Sequence, residues 1–194
     1  MDRTMKEEKI EINNKLESIA MIKELGLNKL NEEIFNKNEY DKVVKFIENN
    51  PCEYYAIRDK SKAGGMFKLK VKAADVLEEI KDYQLFTINV SSANYRDNQL
   101  LVGEIQILKN GEVYAILSTN QDYSVRDAIR DPEFNIKTDI FDDVTLKKIP
   151  YFDYMFEYIV SNKLEDIIVE FSLFDIDVGI NSERVVVYEV RTHY

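Results

Sequence analysis

The run QLLVGEIQILKNGEVYAILSTN, residues 99–120, sets two apolar, β-rich segments on either side of Lys109-Asn110-Gly111. Asn-Gly supplies the positive φ that a tight hairpin turn requires, and a hairpin pairs its two strands antiparallel. The closing run IIVEFSLFDIDVGINSERVVVYEVRTHY, residues 167–194, repeats the pattern as two strands and a loop. Two such hairpins commit the chain to a largely antiparallel sheet, and the remaining segments must cover it.

Those segments fall into place by periodicity. In residues 6–25, Ile12, Leu16, Ile19, Ile22 and Leu25 recur at helical spacing, and Gly26 is placed to end the helix. Asn31 to Phe35 reads as a short helix. NEYDKVVKFIENNP reads as another, with Asn38 as cap, Val43, Val44, Phe46 and Ile47 as its buried face, and Pro51 as its stop. From residue 53 the pattern changes: EYYAIRD and GMFKLKV read as strands around KSKAGG, AADVLEEIKDY as a helix and LFTINVSS as a strand. DYSVRDAIRDP reads as a short helix stopped by Pro132, NIKTDIFDDVTLKKIP as a polar connection with room for one strand, and YFDYMFEYIVSNK as a helix after Pro150. The expected fold class is α+β. A helical N-terminal segment, residues 1–50, would pack on a largely antiparallel sheet domain, residues 51–194, together forming one or two domains.

The net charge of −10 argues against nucleic acid as a partner, because phosphates repel an acidic surface that has no strong basic patch. KLKVK, residues 68–72, alternates like a solvated strand face. The segment MDRTMKEEKIEINNKLESI is charged throughout, and no apolar run approaches the roughly 18 residues of a membrane helix. No membrane association and a cytoplasmic location are therefore expected. Cys52 is the one cysteine and His193 the one histidine. An internal disulfide is impossible, and Cys–His catalysis has little to work with.

Charged residues inside apolar strands carry the candidate chemistry. On the last strand Glu189 and Arg191 share a face with Val185 and Val187, since side chains two apart point the same way. Glu170 shares a face with Ile168 and Ser172. If the closing strands pair, Glu170 approaches Glu189, and two carboxylates offer the oxygen ligands that Mg²⁺ takes when phosphates complete its shell. A cross-strand Glu–Arg pairing accounts for the same residues without a ligand. In YYAIRDKSKAGGMF, a strand delivers Arg58, and a loop then offers Lys60, Ser61, Lys62 and two glycines. Cations and backbone amides of that kind suit a triphosphate, although the P-loop spacing is absent. A hairpin loop with solvated lysines is the plain alternative. Arg126 and Arg130 share a helix face and can reach either phosphates or neighbouring aspartates.

In their order along the chain, these pieces resemble the ATP-binding region of phosphoenolpyruvate synthase and pyruvate phosphate dikinase, of the ATP-grasp superfamily. YAIRDKSKAGGMFKLKV is similar to the family's arginine–serine segment and glycine-containing phosphate loop. Arg58 matches the arginine, and Arg-Asp-Lys-Ser stands where Arg-Ser-Ser is usual. LLVGEIQILKNGEVYAIL resembles the central hairpin. VEFSLFDIDVGINSERVVVYEVR resembles the closing motif, with Glu170 as the metal-facing glutamate, Glu189 in place of glutamine, and Arg191 as the arginine. The resemblance implies an ATP-grasp-like fold that binds ATP and Mg²⁺. Arg58, Lys60 and Ser61 would hold the nucleotide, Glu170 and Glu189 the metal, and Arg191 would act in catalysis. The chain carries no counterpart of the family's swivelling phosphohistidine domain, so a phosphoryl-transfer or ligase module, or an inactive remnant, is implied rather than the full cycle. The alternative is a non-catalytic interaction module with a protein partner or a second copy of itself. Tyr54, Tyr55, Tyr151, Tyr154 and Tyr158 would then serve as core or interface anchors.

Overall fold

In a computed structural model of the chain, the described residues are 12, 15–60 and 66–192. They form an α+β fold whose strands make two sheets, of four and five strands. The chain divides into two units. One comprises residues 28–99 and 174–186; the other comprises 1–27, 100–173 and 187–194.

The first unit is built on the four-stranded sheet. Its strands are β1 (Glu32–Asn36), β2 (Tyr54–Asp59), β3 (Phe67–Lys72) and β4 (Leu85–Val90), in the order β1-β4-β2-β3 with every pairing antiparallel. Helix α2 (Tyr40–Asn49) and the short α3 (Val76–Ile80) supply the rest of its core. Phe35, Val43, Phe46, Tyr55, Ile57, Val71, Val76, Ile80, Phe86 and Ile88 form one buried cluster. Phe35 meets Phe46 edge-on and lies stacked on Phe86, an arrangement that satisfies the ring quadrupoles.

Asn28 of this unit ties down the turn that follows Val178. Its Nδ2 donates to the carbonyls of Val178 and Val185, each at 2.9 Å, and its Oδ1 accepts from the backbone N–H of Asn181 at 3.0 Å.

The second unit is built on the five-stranded sheet, ordered β7-β6-β5-β8-β9. These strands are β5 (Gln99–Ile107), β6 (Glu112–Ser118), β7 (Phe134–Asp139), β8 (Ile168–Val178) and β9 (Glu183–Arg191). The Asn110-Gly111 hairpin forms as its sequence requires, with Gly111 at φ 96° and β5 antiparallel to β6. Helices α1 (Lys15–Glu24), α4 (Val125–Arg130), α5 (Asp143–Leu146) and α6 (Phe152–Ser161) belong here too. Gly26, at φ 64°, ends α1. Helix α4 starts in a capping box: the Ser124 hydroxyl accepts from the Asp127 N–H, and the Asp127 carboxylate accepts from the Ser124 N–H. On α6, Phe152, Met155 and Ile159 are buried at spacings of three and four, one face of the helix.

Several expectations are corrected. Asn31–Phe35 is not a helix: residues 32–36 are strand β1, with Phe35 buried and Ile34 half exposed, the alternation of a strand. The first fifty residues are therefore not purely helical. The residue capping α2 is Glu39 rather than Asn38, and Val44 faces outward. The polar connection holds the one strand it had room for, β7, and in addition the short helix α5, which was not expected. Among the described residues no helix is long and apolar enough to cross a membrane.

Candidate functional site

Strand β5 is buried along nearly its whole length, on both faces. A strand of that kind has no solvent face for an acid, yet Glu104 sits at its middle with its side chain 2% exposed. Buried carboxylates persist when they are paired. Here the pairing comes from Arg191, whose Nη2 donates to Glu104 Oε2 and whose Nη1 donates to Glu170 Oε1. Three strands adjacent in the sheet, β5, β8 and β9, thus each deliver one charge to a common sheet face. Arg191 reaches past β8 to β5, about 10 Å at the usual strand spacing, which suits its long side chain.

The electrostatics follow from this arrangement. Two carboxylates share one guanidinium, so the cluster carries a net charge of −1. Burial works to lower the pKa of Arg191, but the charges of Glu170 and then Glu104, with their hydrogen bonds, outweigh it and hold the arginine above its ordinary value. Arg191 is a fixed cation at any physiological pH. Glu104 Oε1 is buried and has no hydrogen-bond partner among the described residues. A buried acceptor left open is costly to the fold.

The expected site residues are distributed as follows. Glu170 and Arg191 meet directly, as the cross-strand pairing requires. Glu189 lies half-buried two residues before Arg191 on the same face of β9. The second carboxylate on the guanidinium is Glu104, which sequence reasoning missed. Its signal was an acid in the otherwise apolar run LLVGEIQIL. Among the described residues no group of three or more His, Cys, Asp or Glu side chains is disposed to hold a metal. Any divalent ion here would depend on oxygens brought by a ligand.

Arg58 and Lys60 belong to the other unit. Arg58, next to the last residue of β2, has its guanidinium over the Phe67 ring, 4.8 Å from the centroid. The Lys60 backbone N–H donates to Leu85 O at 2.7 Å. Ser61 lies outside the described residues, as do Lys62 and both glycines of that loop. The lysines of β3 are exposed around half-buried Leu69 and buried Val71, the solvated face read from their alternation, and Lys68 pairs with Glu79. On α4, Arg130 pairs with Asp127 at 3.2 Å while Arg126 is exposed. Cys52 is half-buried, and burial pushes its thiol up, which keeps it protonated and unreactive. His193 lies outside the described residues.

No family model and no curated protein matches the chain. Among solved structures it is similar to D-alanine–D-alanine ligase from Helicobacter pylori, at 11% identity and a TM-score of 0.46 over 92% of this chain and 50% of that one. It is also similar to N5-carboxyaminoimidazole synthetase from Staphylococcus aureus complexed with ADP, at 13% identity and a TM-score of 0.46 over 92% and 44%. A third likeness is to the macrocyclase MdnC bound with precursor peptide MdnA from Microcystis aeruginosa, at 15% identity and a TM-score of 0.44 over 88% and 49%. The chain spans about half the length of the solved structures it matches.

Proposed function

We propose that this chain is an ATP-binding module of the ATP-grasp kind, working with Mg²⁺ in phosphoryl transfer or ligation. The observation that carries the reading is Arg191 clamped between Glu170 and Glu104 on one sheet face. A sheet needs no ion cluster there for stability, since apolar residues of similar size serve as well. A fixed guanidinium is what stabilises charge on a transferring phosphoryl group.

In this reading Arg191 neutralises the phosphoryl oxygens. Glu170 and Glu189 are the metal-facing carboxylates, and their hard oxygens suit Mg²⁺ when phosphate oxygens complete the shell. Mg²⁺ supplies charge neutralisation to the phosphates when bound. In the other unit Arg58, Lys60 and Ser61 are the phosphate-holding residues of the glycine-containing loop.

Calorimetric titration of Mg·ATP into Glu170→Ala is the test. Affinity should fall at least tenfold while ATP affinity without Mg²⁺ changes little; unchanged Mg·ATP affinity removes the metal role of Glu170.

A second reading, a non-catalytic interaction module, draws on Phe141 and Val144, which are 88% and 72% exposed. It takes first place if no nucleotide binds.

A further inference from the structure

In the nucleotide reading Glu104 meets no ligand directly, yet it is the most deeply buried member of the cluster. Its side chain is 2% exposed, against 18% for Glu170 and 23% for Arg191. Its backbone is closely packed. The preceding residue, Gly103, has φ 145°, and a Cβ there would meet the Ile116 carbonyl oxygen at 2.1 Å. Only glycine lets β5 lie this close to β6, and Glu104 itself stands opposite Ile116 in the register. The Glu104 carboxylate is therefore presented from a rigid central strand. Arg191 is presented from the last residue of β9, the outermost strand in the sheet order. Glu104 Oε1 has no partner among the described residues, so the compensation of this buried charge falls on Arg191. A rigid buried anion paired to a long flexible cation fixes the cation.

We propose that Glu104 is a positioning residue: it holds the Arg191 guanidinium in one place so that the arginine meets a bound phosphate as a preorganised cation. The phosphate part of this rests on the nucleotide reading above. The restraint of Arg191 by Glu104 does not. Glu170 engages Nη1 and Glu104 engages Nη2, so both Nη groups are held and the guanidinium plane is set. Preorganisation matters because a charge that need not reorient stabilises developing charge far better than one that must.

The test uses the full chain, the variants Glu104→Gln and Glu104→Asp, and two readouts. The first is ¹⁵N NMR of the Arg191 side chain without ligand, assigned by its loss in Arg191→Lys. Wild type should show slowed guanidinium rotation with separate Nη–H signals. Glu104→Gln should average them, and Glu104→Asp should fall between. The second is titration with Mg·ATP and with adenosine, which lacks phosphates. Glu104→Gln should weaken Mg·ATP about tenfold and leave adenosine unchanged, with partial recovery in Glu104→Asp. A loss that is equal for both ligands would mean that Glu104 only supports the fold, and would overturn the proposal. So would a freely rotating Arg191 in wild type, a result that requires no variant to fold. If wild type binds no ATP, the nucleotide reading fails and the preorganised-cation role falls with it, while the NMR still decides whether Glu104 restrains Arg191.

Discussion

At the scale of single residues, Glu104, Glu170 and Arg191 form one charge cluster on the five-stranded sheet. Removing Arg191 would take the guanidinium from Glu104, whose side chain is 2% exposed. Arg191→Met should therefore lower stability by about 3 kcal/mol or more, the usual result of stripping one partner from a buried pair. Urea unfolding measures it. Adding Glu104→Gln should recover part of the loss, because the two changes share one interaction; strictly additive losses would separate Glu104 from the arginine. Two phenols define a second titration. Burial, with Cys52 beside it, pushes the Tyr55 hydroxyl up to about 12; burial, with the hydrogen bond to Glu79, does the same for Tyr83. Both folded values lie above the ordinary value of about 10, so the fold favours the neutral phenol. Their stabilisation is complete below about pH 10 and is lost as pH rises from there toward 12. Unfolding free energies should fall between pH 9.5 and 11.5, and Tyr55→Phe with Tyr83→Phe should flatten that fall. A wild-type curve that is already flat would contradict the account.

At the scale of elements, the strands were legible and the site they share was only half so. The Asn110-Gly111 hairpin, the closing strand pair and α4 with its Pro132 stop each have a local chemical cause, and local causes can be read from sequence. Asn31–Phe35 misled because five residues hold too little of either period: NEEIF fits one turn of helix as readily as a strand with Phe35 turned inward. Glu170 and Arg191 were visible because they interrupt apolar strands 21 residues apart within one hairpin. Glu104 was hidden because Val102, Glu104 and Gln106 alternate with apolar neighbours and so imitate a solvent face. Only pairing with β8, with β9 beyond it, buries that face and brings to it Arg191, 87 residues away. Gly103 ties the element to the site. Gly103→Ala would force a Cβ against the Ile116 carbonyl in a backbone conformation that side chains rarely adopt. The loss should be about 3 kcal/mol or more, from strain and overpacking together. Chemical denaturation measures it, and a loss under about 1 kcal/mol would mean that β5 and β6 are not held this closely.

At the scale of the whole molecule, the chain assembles one unit from three stretches and the other from two, with β8 and β9 contributing to both. That connectivity was not legible, since no linker or low-complexity stretch marks it in the sequence. The central claim is that this fold exists to bind a nucleotide through its phosphates. Thermal-shift titration with ATP, ADP and GTP, each with and without Mg²⁺, tests it most directly. A ligand that binds only the folded state adds about 2.7 kcal/mol at a hundred times its Kd, some 5–10 °C for a chain of this size. The account predicts a shift of that order with ATP that depends on Mg²⁺ and shrinks in Glu170→Ala. No shift with any nucleotide at millimolar concentration would contradict it.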